Sequence, residues 1–153
     1  CTLLGRAQPL YLNTHFNHPR ELTPAAASAC ARLAAAGIPL GNQTVLLKGV
    51  NDNAEVLAEL FRGLLKIRVR PYYLHHMDLV RGTGHFRCSV RTGKGILQAL
   101  RGQLSGMALP HYVMDLPGGR GKVPVTADYV DVVGDEVRAR TPEGDEVRFA
   151  EVT

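Results

Sequence analysis

Cysteine is scarce in this chain of 153 residues. Cys1, Cys30 and Cys88 are odd in number and far apart, and no C-x-x-C pair occurs. That excludes a disulfide framework and a zinc knuckle, and a reducing cytosol is the simplest compartment. Long apolar runs are missing too. None approaches the roughly 20 residues that span a bilayer, and residues 1–12 lack the basic and apolar regions of a signal peptide. No membrane association is expected. Positive charge is modest: 18 Lys and Arg against 14 Asp and Glu give +4. The denser patch, "KIRVRPYY" at 66–73, is too small for a nucleic-acid-binding face. No internal repeat stands out.

What is present is alternation. "LYLNTHF" (10–16) reads as a strand. A helix follows, with Thr23 as N-cap, Pro24 in the first turn and Gly37 as C-cap. Strand 42–49, an amphipathic helix over 53–67, strand 68–76, a glycine-weakened helix over 90–104 and strand 111–115 complete the series. Short apolar strands between helices of this length imply an α/β fold with a parallel sheet. Beyond residue 127, "YVDVVGDEVRARTPEGDEVRFAEV" alternates around Gly-Asp turns, the pattern of a small antiparallel meander. The expected organisation is an α/β unit over 1–127 and a β appendage over 128–153.

In parallel α/β architectures, the C-terminal ends of the strands carry the site. That rim collects His15, Asp52, His75, His76, Asp78, Asp115 and Lys122. Three readings of Lys122 compete. It follows "DLPGGRG", so it is a solvated lysine on a glycine turn, a phosphate-loop lysine, or a covalent anchor for a carbonyl cofactor. The phosphate loop fails, because Leu116 replaces its first glycine and Val123 its hydroxyl. His15 and His18, and His75 and His76 beside Asp78, raise a metal-dependent hydrolase as a rival. Adjacent strand residues point to opposite faces, however, so His75 and His76 cannot serve one site on regular backbone. No metal site is assigned. Asp78 and Asp115 would suit a ligand ammonium, or else cap loops.

Four blocks, "THFNHPRELT", "GIPLGNQTVLLKGVNDN", "KIRVRPYYLHHMDLVRGTGHFR" and "SGMALPHYVMDLPGGRGKVPV", closely resemble the C-terminal half of lysine 2,3-aminomutases. The resemblance runs from about residue 8 to 130. It implies the second half of a partial parallel β/α barrel. It also implies a radical enzyme using S-adenosylmethionine, a [4Fe-4S] cluster and pyridoxal 5′-phosphate, which is held as an aldimine on Lys122. Gln43 and His15 become cofactor contacts. Asp78 and Asp115 receive the side-chain amine of lysine, the small-molecule substrate; two anions there repel a γ-carboxylate. A 5′-deoxyadenosyl radical would take a β-hydrogen, and the nitrogen would migrate from C2 to C3 to give β-lysine. The resemblance also implies a homo-oligomer in the cytoplasm.

The departures are specific. The C-x-x-x-C-x-x-C cluster motif is absent, so the missing N-terminal half of the barrel must supply it and the isolated chain should be inactive. Asn53 stands where some members place a zinc-ligating cysteine, which argues against structural zinc. "GVNDN" is similar to the branch that modifies a lysine of elongation factor P, whereas "DLPGGRGK" resembles the free-lysine branch. The alternative class is a non-catalytic half-barrel, either a fold fragment or a partner of a separate cluster-bearing chain.

Overall fold

The computed structural model describes residues 3–7, 9–78, 80–116, 121–125, 130–133, 136–140 and 144–150. Five strands form one sheet in chain order: β1 (Leu12–Thr14), β2 (Leu40–Leu46), β3 (Val69–His76), β4 (His111–Asp115) and β5 (Lys122–Pro124). The first four run parallel, and β5 returns antiparallel along β4. The fold is therefore mixed α/β, with a mostly parallel sheet. The antiparallel edge strand corrects the expectation of a parallel sheet and of a loop around Lys122.

Helices α1 (Pro24–Ala35), α2 (Ala54–Lys66) and α3 (Val90–Arg101) connect the parallel strands. Each begins at a side-chain cap. Thr23, Asn53 and Ser89 accept the N–H groups of Ala26, Val56 and Thr92, offsetting donors that the first turn leaves orphaned. Gly37 ends the α1 segment at φ +77°, a conformation that costs glycine little, as the sequence predicts. Strand β2 stops three residues before the expected boundary. Asn51 folds the chain back there, accepting the Leu47 N–H at 2.7 Å.

Burial alternates along β2. Leu40, Asn42, Thr44 and Leu46 are buried, while Gly41, Gln43 and Val45 are partly exposed. The buried side meets Leu57, Leu60, Phe61 and Leu64 of α2 and Ile96, Leu97 and Leu100 of α3 in one core. The opposite side of the sheet is open. It carries Gln43, His75, Asp115 and Lys122.

Strands β6 (Val130–Val133), β7 (Glu136–Arg140) and β8 (Glu146–Ala150) pair antiparallel in a second sheet. Among the described residues, no helix is long and apolar enough to cross a membrane.

Candidate functional site

The hairpin of β4 and β5 pairs Asp115 directly with Lys122. Paired residues on neighbouring strands share a face, so both side chains rise from the open side of the sheet. Lys122 Nζ donates to Asp115 Oδ2 at 2.6 Å. It also lies 3.3 Å from His75 Nδ1. The Leu116 N–H donates to the Gly121 carbonyl at 2.8 Å and closes the hairpin, where Gly121 takes φ +96°. Residues 117–120, the centre of the glycine stretch, lie outside the described residues.

A cleft of about 210 Å³ opens beside this cluster, lined by His15, Gln43, His75, Asp78 and Asp115 among others. A second hollow of about 360 Å³ adjoins Lys122, between Tyr72, Tyr73, His111 and Val113. Lys122 thus belongs to the second hollow while its ammonium touches the walls of the first. The Tyr73 ring centroid lies 5.6 Å from Nζ, within cation–π range.

A bulge aims this aromatic wall. The register of β3 slips by one between Pro71 and Tyr73, opposite Asn42 and Gln43. Pro71 has no N–H for the ladder, which favours such a break. Tyr72 and Tyr73 then lie together with ring centroids 3.9 Å apart, and the Tyr72 hydroxyl donates to that of Tyr73 at 3.1 Å.

Charges in the cluster tune one another. The hydrogen bond from Lys122 holds the Asp115 carboxyl below its usual range. Burial pushes the His75 imidazole below its usual value, and the Lys122 charge adds to that; Asp115 and Asp78 oppose it. These shifts favour a charged carboxylate at Asp115 and a neutral imidazole at His75.

Of the rim residues, His15, His75, Asp78 and Asp115 line one cleft, and Lys122 joins them through its ammonium. Others serve elsewhere. Asp52 accepts the Gly49 N–H at 2.9 Å within a turn. His18 accepts the Arg20 N–H and caps a short 3-10 turn. His76 also borders the cleft, but its Nδ1 is 2.8 Å from the Tyr112 hydroxyl, under the sheet. The two adjacent histidines therefore divide between the faces, as the alternation rule requires. No group of three or more His, Cys, Asp or Glu among the described residues is placed to hold a metal ion.

Residues 97–147, which include both Asp115 and Lys122, match a family model described as Lysine-2,3-aminomutase. The L-lysine 2,3-aminomutase of Fusobacterium nucleatum is 53% identical over 130 residues, 85% of this chain and 31% of the relative. That of Clostridium subterminale is 53% identical over 128 residues, 84% of this chain and 31% of the relative. This chain belongs to the lysine 2,3-aminomutase family. It spans about a third of the length of the curated relatives it matches. One relative carries a different substrate in its name: the glutamate 2,3-aminomutase of Clostridioides difficile is 47% identical over 150 residues, 97% of this chain and 36% of the relative.

Two parts of the site escaped sequence reasoning. One is the contact of Lys122 with Tyr73 and His75, which depends on the β5 register. The other is a buried amide clamp below the cleft. Asn42 accepts from Thr14 Oγ1 (2.9 Å) and the Phe16 N–H (2.7 Å), and donates to the Phe16 carbonyl (3.1 Å) and Thr44 Oγ1 (2.9 Å). Asn51 donates to the carbonyls of Asn17 (2.8 Å) and Val45 (2.9 Å). Together they fix the segment after β1 and hence His15. Polar residues on the buried side of "LGNQTVL" were the available signal, since a buried amide requires partners.

Proposed function

We propose that this chain is the C-terminal part of an L-lysine 2,3-aminomutase, an isomerase that interconverts lysine and β-lysine. Residues 1–127 would form part of a β/α barrel, and 128–153 an appendage. One observation carries the reading: an alkylammonium, that of Lys122, sits on Asp115 at 2.6 Å beside a cleft that Asp78 also lines. The side chain of a lysine substrate ends in the same group. The carboxylate already holds the chemistry it is proposed to recognise.

The residues fit pyridoxal phosphate. Lys122 offers an amine at the junction of two hollows, the Tyr73 ring offers an aromatic wall, and His15 and Gln43 offer polar groups in the same cleft. When bound, the cofactor would supply a conjugated system that delocalises an unpaired electron next to the migrating nitrogen. The cysteines do not fit an iron–sulfur cluster. Cys30 and Cys88 are buried apart in the sequence, and the cluster spacing does not occur. Under this proposal, cluster and S-adenosylmethionine are held by residues outside this sequence.

This chain's own residues would work as follows. Lys122 would anchor the cofactor through its amine. Asp115 and Asp78 then receive the substrate's side-chain ammonium and fix how far it enters. The packed core beneath β2 to β4 keeps these groups on a rigid base, and the aromatic wall excludes water from one side.

The glutamate-named relative supports a second reading, since it covers nearly all of this chain. Charge argues for lysine: a γ-carboxylate would meet two carboxylates in this cleft. The deciding experiment uses the natural protein that carries this sequence. Asp115→Asn should lower kcat/KM for lysine roughly ten- to a hundredfold by weakening a charge-assisted hydrogen bond. Asp78→Asn should act in the same direction. Unchanged lysine turnover in both variants, or a preference for glutamate in the unmutated protein, would overturn the assignment.

A further inference from the structure

We infer that His75 is the base that takes a proton from Lys122 and frees its amine to bond a cofactor aldehyde, an inference that rests on Lys122 being the anchor. A protonated lysine has no lone pair to offer. Its nitrogen is also held in a hydrogen bond to Asp115 at 2.6 Å. Some group must accept the proton.

Among the described residues, three groups surround Nζ. Asp115 is a poor acceptor, since its carboxyl titrates below the usual range. Tyr73 presents its ring, and its hydroxyl titrates above the usual value, so it stays a neutral phenol. His75 remains. Its Nδ1 is 3.3 Å from Nζ, and burial keeps the ring neutral. Facing a donor, Nδ1 must carry the lone pair, which puts the ring hydrogen on Nε2. Nε2 is buried and has no partner among the described residues.

The geometry also accommodates the product of the transfer. His75 Nδ1 is 3.7 Å from Asp115 Oδ2. Moving the proton from Nζ to Nδ1 passes the positive charge from one neighbour of Asp115 to another, and the ion pair survives. Asp78 favours the imidazolium as well, whereas His15 opposes it when protonated. On the far face, His76 feels Arg87 and Asp78. The bookkeeping closes. The ammonium gives one proton to His75, the amine nitrogen bonds the aldehyde carbon, and the imidazolium returns its proton to the former carbonyl oxygen. One water then leaves, and the lysine nitrogen keeps its positive charge as a protonated imine.

The test measures attachment rather than turnover. The natural protein is stripped of cofactor and mixed with pyridoxal phosphate. Attachment is followed by absorbance, fixed with borohydride and mapped to peptides. In the unmutated protein, the rate should rise with pH through an inflection in the imidazole range. His75→Asn should slow attachment at neutral pH about a hundredfold, the usual scale for a positioned base, and move the inflection toward the lysine range. Added imidazole should restore the rate of His75→Ala. An unmutated inflection in the lysine range alone would overturn the inference, and so would labelled Lys122 with an unchanged His75→Asn rate. The latter outcome would leave the assignment of Lys122 standing. Lys122 unlabelled in the unmutated protein would overturn both.

Discussion

Replacing Asn42 by alanine should separate the fold from the site. Its side chain is 1% exposed and makes four hydrogen bonds to three residues. The losses are unequal. The Phe16 carbonyl keeps the Thr44 hydroxyl at 2.8 Å, and the Thr14 hydroxyl keeps the Gly41 carbonyl at 3.0 Å. The Phe16 N–H loses its acceptor at 2.7 Å. An orphaned buried donor costs about 1–3 kcal/mol, and the vacated volume adds to it, for about 2–4 kcal/mol in total. Gln43 is the internal control. It is the next residue, lines the cleft and has no part in the clamp. Gln43→Ala should change stability by no more than about 0.5 kcal/mol while weakening cofactor retention. Urea unfolding of the natural protein measures both, provided the m-values agree. An Asn42→Ala midpoint equal to the unmutated one would refute the clamp. A Gln43→Ala loss as large would refute the division of faces.

Two further outcomes are expected. Gly93→Ala should destabilise by about 1–3 kcal/mol, because its Cβ would run into the Tyr112 ring and hydroxyl, whereas Gly95→Ala, with open space around it, should stabilise by about 0.5–1 kcal/mol; thermal unfolding distinguishes them. Acid should weaken the fold from about pH 6.5 downward. Burial lowers the folded pKa of both His75 and His76, so the unfolded chain binds protons first and stability falls with pH until the folded groups also titrate. A urea midpoint that does not fall between pH 7.5 and 5.5, or one whose fall is not reduced by His76→Asn, would contradict this.

Much of the architecture was legible because it rests on local rules. Thr23 marks the start of α1, and the apolar spacing from Val56 to Leu64 fixes the buried side of α2. Asp78, Asp115 and His15 could be gathered because strand direction puts strand ends on one rim, whereas Gln43 came only from the family resemblance. Lys122 was harder. A glycine-rich stretch reads as loop, yet the hairpin depends on pairing with β4, a tertiary effect that propensity does not carry. His75 needed the same register before its partner could be known. The Tyr72–Tyr73 pair needed a bulge, which Pro71 permits but does not specify.

The edge of the sheet leads to the last expectation. Strand β1 has β2 on one side and no paired strand on the other among the described residues. The Leu12 N–H is used inward, donating to the Pro39 carbonyl at 3.1 Å. By alternation the Asn13 N–H points outward, where an added strand would find it. Beside it lie Tyr11, 77% exposed, and a hollow of about 500 Å³ lined by Tyr11, Asn13, Arg70 and Tyr72 among others. An unpaired edge flanked by exposed aromatic surface promotes association. The 153-residue chain by itself should therefore sediment as oligomers at micromolar concentration. Asn13→Pro removes the outward donor while leaving the inward bonds of Leu12 in place, and should shift the population toward monomer. The circular dichroism of the variant should stay unchanged, since β1 is a short end strand. Monomers in both forms would show that the edge attracts nothing. Oligomers insensitive to the proline would move the contact from the β1 edge to the open face of the sheet.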